Sequence, residues 1–144
     1  MAKTGITKWH GQKVFTLATE ANIKAMQKAA FVVEGYVKNH FTKQGSGRKY
    51  SKYTASRAGQ PPAIDTGILR SSIMSDVKVK ALNVIGRVGP DIELIGAKSD
   101  AGTDVNYGLY LEVGTKNISK RPFLRPALRA TRKKVKAIFK KANK

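Results

Sequence analysis

The sequence predicts an α+β fold, in which a long N-terminal helix and a C-terminal helix pack on a small antiparallel β-sheet, with one long mobile loop. Near both ends of the chain, apolar or small side chains recur every three or four residues, as on the buried face of a helix. In the middle they alternate with a period of two, as in strands. The 144 residues have the length of one domain, and without cysteine that domain contains no disulfide bond.

The first helix is predicted from about Thr16 to Phe41, after an N-terminal arm of residues 1–15. The arm lacks the apolar core of a signal peptide, and no run approaches the roughly 20 apolar residues of a membrane-spanning helix. We therefore expect a soluble protein. The predicted buried face consists of Ala18, Ala21, Ala25, Ala29, Val32, Val33, Tyr36 and Val37.

Residues 42–62 are predicted to form the long mobile loop, because they are rich in Gly, Ser and Lys and end at Pro61-Pro62. Loops of this length inside a domain tend to be functional or to become ordered on assembly. Two alternatives are open: neighbouring subunits order the loop, or its mixture of aromatic and cationic groups binds single-stranded nucleic acid. Those groups are Arg48, Lys49, Tyr50, Lys52, Tyr53 and Arg57.

A short helix through Ile68, Leu69 and Ile73 is predicted, with Asp65 or Thr66 expected to cap it, and two strands are predicted after it. Apolar and other side chains alternate over residues 77–80 and 84–88, which predicts an antiparallel pair joined near Leu82-Asn83.

A second short helical segment is predicted further along the chain. Proline and glycine interrupt residues 89–104, and residues 92–95 in their middle could form either a short strand or a loop. Tyr107, Tyr110 and Leu111 then follow with helical spacing, and Gly114 can supply the left-handed residue that ends such a turn.

Residues 126–144 are predicted to form a basic helix that starts near Pro126. Its apolar stripe consists of Leu128, Val135, Ile138, Phe139 and Ala142. A second set, which we call the basic stripe, consists of Arg129, Arg132, Lys133, Lys136 and Lys140. The chain carries 28 basic and 9 acidic residues, a net charge of +19, and no acidic residue follows Glu112. Solvent, an acidic protein surface and DNA are the three candidate neighbours of the basic stripe.

No catalytic, metal or cofactor site is predicted. His10 and His40 stand apart from other potential ligands. Residues 45–49 lack the spacing and the Gly-Lys-Ser/Thr ending of a phosphate-binding loop. Since no clustered nucleophile and base is visible, we expect neither an enzyme nor a small-molecule substrate.

Three sequence blocks carry a family resemblance. They are Asp65-Thr66-Gly67-Ile68-Leu69-Arg70-Ser71-Ser72-Ile73; Tyr107, Glu112, Gly114 and Thr115; and Pro122, Phe123, Leu124, Pro126, Ala127 and Leu128. In this order they resemble the small neck and tail-completion proteins of long-tailed bacteriophages, the family typified by the gene-ten product of phage HK-ninety-seven.

The resemblance implies a structural virion protein that helps to join head to tail, assembled in the host cytoplasm as a ring of identical subunits around the DNA passage. Other neck and tail proteins would be its partners, with DNA in the lumen as a further candidate and no membrane contact. A sequence-independent nucleic-acid-binding protein is the alternative that the charge supports.

The resemblance also gives expectations for individual residues. Tyr107, Glu112, Phe123 and Leu124 are expected to contact other subunits or neck proteins. From the residues alone, Glu112 could instead cap a neighbouring segment or pair with Arg121 or Arg125, and Phe123 could belong to the chain's own core. The basic stripe is expected to face an acidic partner or DNA.

Overall fold

A computed structural model describes residues 11–80, 83–91 and 107–143 and confirms the α+β fold. The segment 92–106, where strand and loop were both open, and His10 lie outside the described residues. The elements are helix α1 (Gly11–His40), helix α2 (Ile68–Ser72), strand β1 (Ile73–Lys80), strand β2 (Asn83–Pro90), helix α3 (Tyr107–Val113) and helix α4 (Leu124–Ala142).

Helix α1 is longer than predicted. It begins at Gly11, so residues 11–15 of the predicted arm belong to the helix, since they contain no proline that would end it. Further along, Ala25, Ala29, Val33 and Val37 follow one another at intervals of four and are buried. This stripe forms the surface on which the sheet and α4 pack.

The two strands pair antiparallel as predicted, with Ile73 opposite Pro90 and Lys80 opposite Asn83. The prediction that Ile73 belongs to the short helix is wrong, because α2 ends at Ser72 and the extended backbone of Ile73 begins β1. Ile73 is fully buried, whereas its neighbour Met74 points to the other face and is 50% exposed. Helix α1 therefore covers one face of the sheet, and the other face is open among the described residues.

A polar contact fixes the sheet against α1. The carboxylate of Glu34 accepts hydrogen bonds from the Ser75 hydroxyl at 2.6 Å and from the Lys38 ammonium at 2.7 Å. The Glu34 carboxylate thus joins Ser75 of β1 to Lys38, one turn further along α1. The strand cannot slide along the helix without breaking the hydrogen bond between Ser75 and Glu34.

The core lies where the C-terminal half of α1 meets β1, α3 and α4. The rings of Phe41 and Phe123 contact each other there at 5.4 Å between centroids. The buried cluster consists of Val33, Val37, Phe41, Ile73, Leu111, Phe123 and Ala127.

The connection between α1 and α2 is non-helical, as predicted, and is closed by backbone hydrogen bonds. Ile64 donates to the Thr42 carbonyl at 2.8 Å, and Gly45 donates to the Thr54 carbonyl at 2.9 Å. The loop therefore folds back on itself, while its mobility stays a prediction.

Of the two predicted caps of α2, the structure shows a hydrogen bond for Thr66. The Ile68 N–H, at the first residue of the helix, donates to the Thr66 hydroxyl at a long 3.4 Å, whereas Asp65 is exposed. The N-cap position itself belongs to Gly67, whose φ of 80° lets the chain turn into the short helix.

The loop packing predicts a position-specific effect of Gly-to-Ala substitution. A methyl group at Gly45 would overlap the backbone carbonyl of Ala55, whereas one at Gly35 in α1 would meet no atom within 4 Å. We expect Gly45→Ala to lower the free energy of unfolding by about 1–3 kcal/mol, and Gly35→Ala to raise it by about 0.5–1 kcal/mol through helix propensity. Urea unfolding of both variants is the measurement. Equal effects would contradict the described loop.

Candidate functional site

The start of α4 is held by one buried carboxylate, that of Glu112. Its Oε2 accepts hydrogen bonds from the backbone N–H groups of Phe123 at 2.7 Å and Leu124 at 2.9 Å, and its Oε1 accepts one from Arg125 at 3.0 Å. The first N–H groups of a helix have no partner within the helix and carry partial positive charge. A carboxylate here satisfies three of these donors at once.

A tight reversal between α3 and α4 places Glu112 at this position. Gly114, with a φ of 80°, ends α3 as predicted, and its N–H donates to the Tyr110 carbonyl at 2.8 Å. Thr115 and Ile118 then close a turn, in which the Thr115 N–H donates to the Ile118 carbonyl at 2.8 Å. The returning chain therefore runs beside the end of α3, next to Glu112.

Glu112 and Phe123 both lie in the interior of the chain. Glu112 is 7% exposed and Phe123 is fully buried, so in this conformation each side chain packs within its own chain, and the expected subunit contacts of both residues stay a prediction. Glu112 bonds the Arg125 backbone rather than a guanidinium group, and Arg121 donates instead to the Ser56 carbonyl at 2.9 Å. Leu124 is half-buried and Tyr107 is 38% exposed, so their subunit contacts stay a prediction.

The three sequence blocks meet in one place. Ile73 from the first, Leu111 beside the matched residues of the second and Phe123 from the third belong to the same buried cluster. A methyl group at Gly108 would lie 3.3 Å from Leu69, so α3 packs closely on α2. The blocks are therefore parts of one packed unit at the base of α4.

The basic stripe lies on the outer side of α4. All five of its residues are exposed, whereas Ala127 and Thr131 are buried on the opposite side. Within the described part of the chain, none of the five forms an ion pair. At 1.5 Å per residue, the stripe from Arg129 to Lys140 is about 16 Å long. It presents a continuous positive surface.

The prediction that Leu128 belongs to the buried apolar stripe of α4 is wrong. Leu128 is 58% exposed, and Ala127 takes the buried position instead, because the α1 surface meets α4 on the side of Ala127 and Thr131. Leu128 is one of several large apolar side chains left in solvent. Phe31 is 70% exposed, and Leu109 and Val113, one turn apart on α3, are 55% and 48% exposed.

Three tyrosines from two distant segments line a surface cavity, which we call the tyrosine cleft. We define the cleft by Tyr50, Tyr53, Ser56, Tyr107 and Arg121. Its volume is about 280 Å³. The rings of Tyr50 and Tyr53 stack at 5.2 Å between centroids and 9° between planes. The long loop thus meets the α3–α4 segment at an aromatic and cationic surface.

The Tyr53 and Tyr107 hydroxyls of the cleft are hydrogen-bond donors at neutral pH. Burial raises the pKa of both tyrosines above the usual value of 10.0. Asp65 raises the pKa of Tyr53 further, and Tyr53 raises that of Tyr107. Both hydroxyls therefore keep their protons well above pH 7.

His40 packs against another ring of α1. His40 stacks on Tyr36 with 5.2 Å between ring centroids. Among the described residues, no group of three or more His, Asp or Glu side chains is placed to hold a metal ion, and no helix is both long and apolar enough to cross a bilayer.

Comparisons with known protein families, curated proteins and solved structures found no match to this chain.

Removal of the Glu112 carboxylate should destabilise the fold strongly. Glu112→Ala leaves three N–H groups at the start of α4 without their acceptor, so we expect the free energy of unfolding to fall by about 2–4 kcal/mol. Urea unfolding followed by circular dichroism measures the loss. The matched control is Glu20→Ala on the exposed side of α1, which should change stability by less than about 0.5 kcal/mol. A Glu112→Ala protein as stable as this control would contradict the capping role.

Proposed function

We propose that the protein is a structural virion component of a long-tailed bacteriophage, a neck or tail-completion protein that helps to join head to tail. The observation that carries the proposal is the convergence of the three sequence blocks in one packed unit, around Glu112 and Phe123. Residues that are scattered over the sequence thus pack together, as expected if the three blocks form one folded unit.

Assembly into a ring of identical subunits is part of the proposal. Leu109, Val113 and Leu128 expose large apolar side chains around the α3–α4 unit, and contact with another copy would remove them from water. A ring needs heterologous contacts, in which one patch meets a different patch on the next copy. The exposed apolar residues and the open face of the sheet are two such different patches.

The proposed role is architectural rather than enzymatic. The Glu112 carboxylate accepts hydrogen bonds from three backbone N–H groups, and among the described residues no group of three or more His, Asp or Glu side chains is placed to hold a metal ion. Other neck and tail proteins are the proposed partners, and the virion, assembled in the host cytoplasm, is the proposed location.

A second candidate function is sequence-independent nucleic-acid binding. The observation that favours it is the basic stripe, whose five cations lie in solvent without ion pairs in the described part of the chain. Such a surface attracts phosphates of any sequence. The two candidates are compatible if the stripe lines the DNA passage of the ring.

Charge reversal on the basic stripe tests its role in joining. We expect Arg132→Glu, Lys136→Glu and Lys140→Glu together to block head-to-tail joining, because the new carboxylates repel the acidic surface or DNA that the stripe faces. The positions are exposed, so the melting curve should stay close to that of the wild type. Virion yield and electron microscopy of unjoined heads and tails are the measurements.

A matched control separates the stripe from net charge. Lys24→Glu, Lys28→Glu and Lys43→Glu make the same change in charge at exposed positions away from α4, and we expect normal joining. Unchanged yield with the α4 variant, or equal loss with both, would contradict the proposed role of the stripe. Cryo-electron microscopy of virions should show the chain as a ring between portal and tail tube.

A further inference from the structure

We propose that the tyrosine cleft is a binding site for one nucleotide of a single-stranded nucleic acid, with the base stacked on a tyrosine ring and the phosphate bound by Arg121 and phenol hydroxyls. This site is separate from the basic stripe. The proposal does not depend on a role in the phage neck, because it uses only the aromatic rings and hydrogen-bond donors that line the cleft.

The aromatic part of the cleft is already ordered for stacking. Tyr50 and Tyr53 lie nearly parallel, and the Arg48 guanidinium lies 5.4 Å from the centre of the Tyr50 ring. Tyr50 and Tyr107 are 44% and 38% exposed, so ring surface is available to a ligand. Aromatic side chains next to cations are the usual platform for single-stranded bases, because every base has a flat face to stack.

The polar part of the cleft is rich in hydrogen-bond donors. The Tyr53 and Tyr107 hydroxyls and the Arg121 guanidinium can all donate, and no Asp or Glu is among the lining residues of the cleft, although Asp65 lies near enough to raise the pKa of both tyrosines. Nε of Arg121 donates to the Ser56 carbonyl at 2.9 Å, which fixes the guanidinium group in place. A fixed guanidinium beside two hydroxyl donors suits the oxygens of a phosphate group.

A buried hydroxyl supplies an independent observation. Ser56 lines the cleft and is 3% exposed, and its Oγ has no hydrogen-bond partner among the described residues. A buried polar atom without a partner costs free energy, and such atoms are rare in folded proteins. The Oγ itself is covered, so a ligand in the cleft would bond this hydroxyl only after the Ser56 side chain turns towards it.

A nucleotide fits these features better than an acidic peptide. Arginine and phenol groups would bind a carboxylate as readily as a phosphate, but a carboxylate makes no use of stacked rings. A base with its phosphate uses both the rings and the donors, and the net charge of +19 draws a polyanion towards the protein.

The test measures binding of a short fluorescent oligothymidylate to the full chain by fluorescence anisotropy, at about 0.15 M ionic strength. The double variant Tyr50→Leu, Tyr107→Leu removes two ring platforms without changing net charge. We expect it to weaken single-strand binding by about tenfold or more, while binding of a duplex of equal length stays within about twofold. The matched control is Phe31→Leu, which removes a more exposed ring outside the cleft and should bind like the wild type.

Crosslinking of the wild-type chain keeps the test independent of how well the variants fold. An oligonucleotide that carries iododeoxyuridine should crosslink to Tyr50, Tyr53 or Tyr107, as read by mass spectrometry. Crosslinks confined to α4, or equal oligothymidylate binding by the double variant and the wild type, would overturn the proposal. So would a poly-glutamate peptide of equal charge that displaces the oligonucleotide from the cleft more effectively than unlabelled oligothymidylate does.

Discussion

The arrangement of this protein depends on the hydrogen bonds between the Glu112 carboxylate and the start of α4. The first turn of α4 contains no acidic residue of its own, and the chain as a whole is strongly cationic. One acceptor from α3 therefore supplies the negative charge that this helix end lacks. By fixing α3 to α4, the same contact directs Phe123 into the core and the basic stripe to the outside.

The buried core is small, and several large apolar side chains lie outside it. A two-stranded sheet is marginally stable by itself, and here α1 supplies the apolar surface against which one face packs. The opposite face and the apolar residues Leu109, Val113 and Leu128 lie in solvent. In the ring proposed above, contact with another copy would cover these apolar side chains.

The two cationic surfaces differ in what they can recognise. The basic stripe offers charge alone, so its interactions with a polyanion weaken steeply as salt rises and do not depend on sequence. The tyrosine cleft adds flat rings and fixed donors, so it distinguishes a single strand, whose bases are free to stack, from a duplex, whose bases are already stacked.

The local elements could be predicted from the residues alone: the amphipathic α1, the β1–β2 hairpin, the end of α3 at Gly114 and the basic helix α4. These follow from side-chain periodicity and from the backbone preference of single residues, which act over a few positions. The partner of Glu112, the exposure of Leu128 and the meeting of Tyr107 with Tyr50 and Tyr53 became visible only in the folded chain. Those contacts join distant segments, and they form only once packing has fixed which face of each helix the core covers.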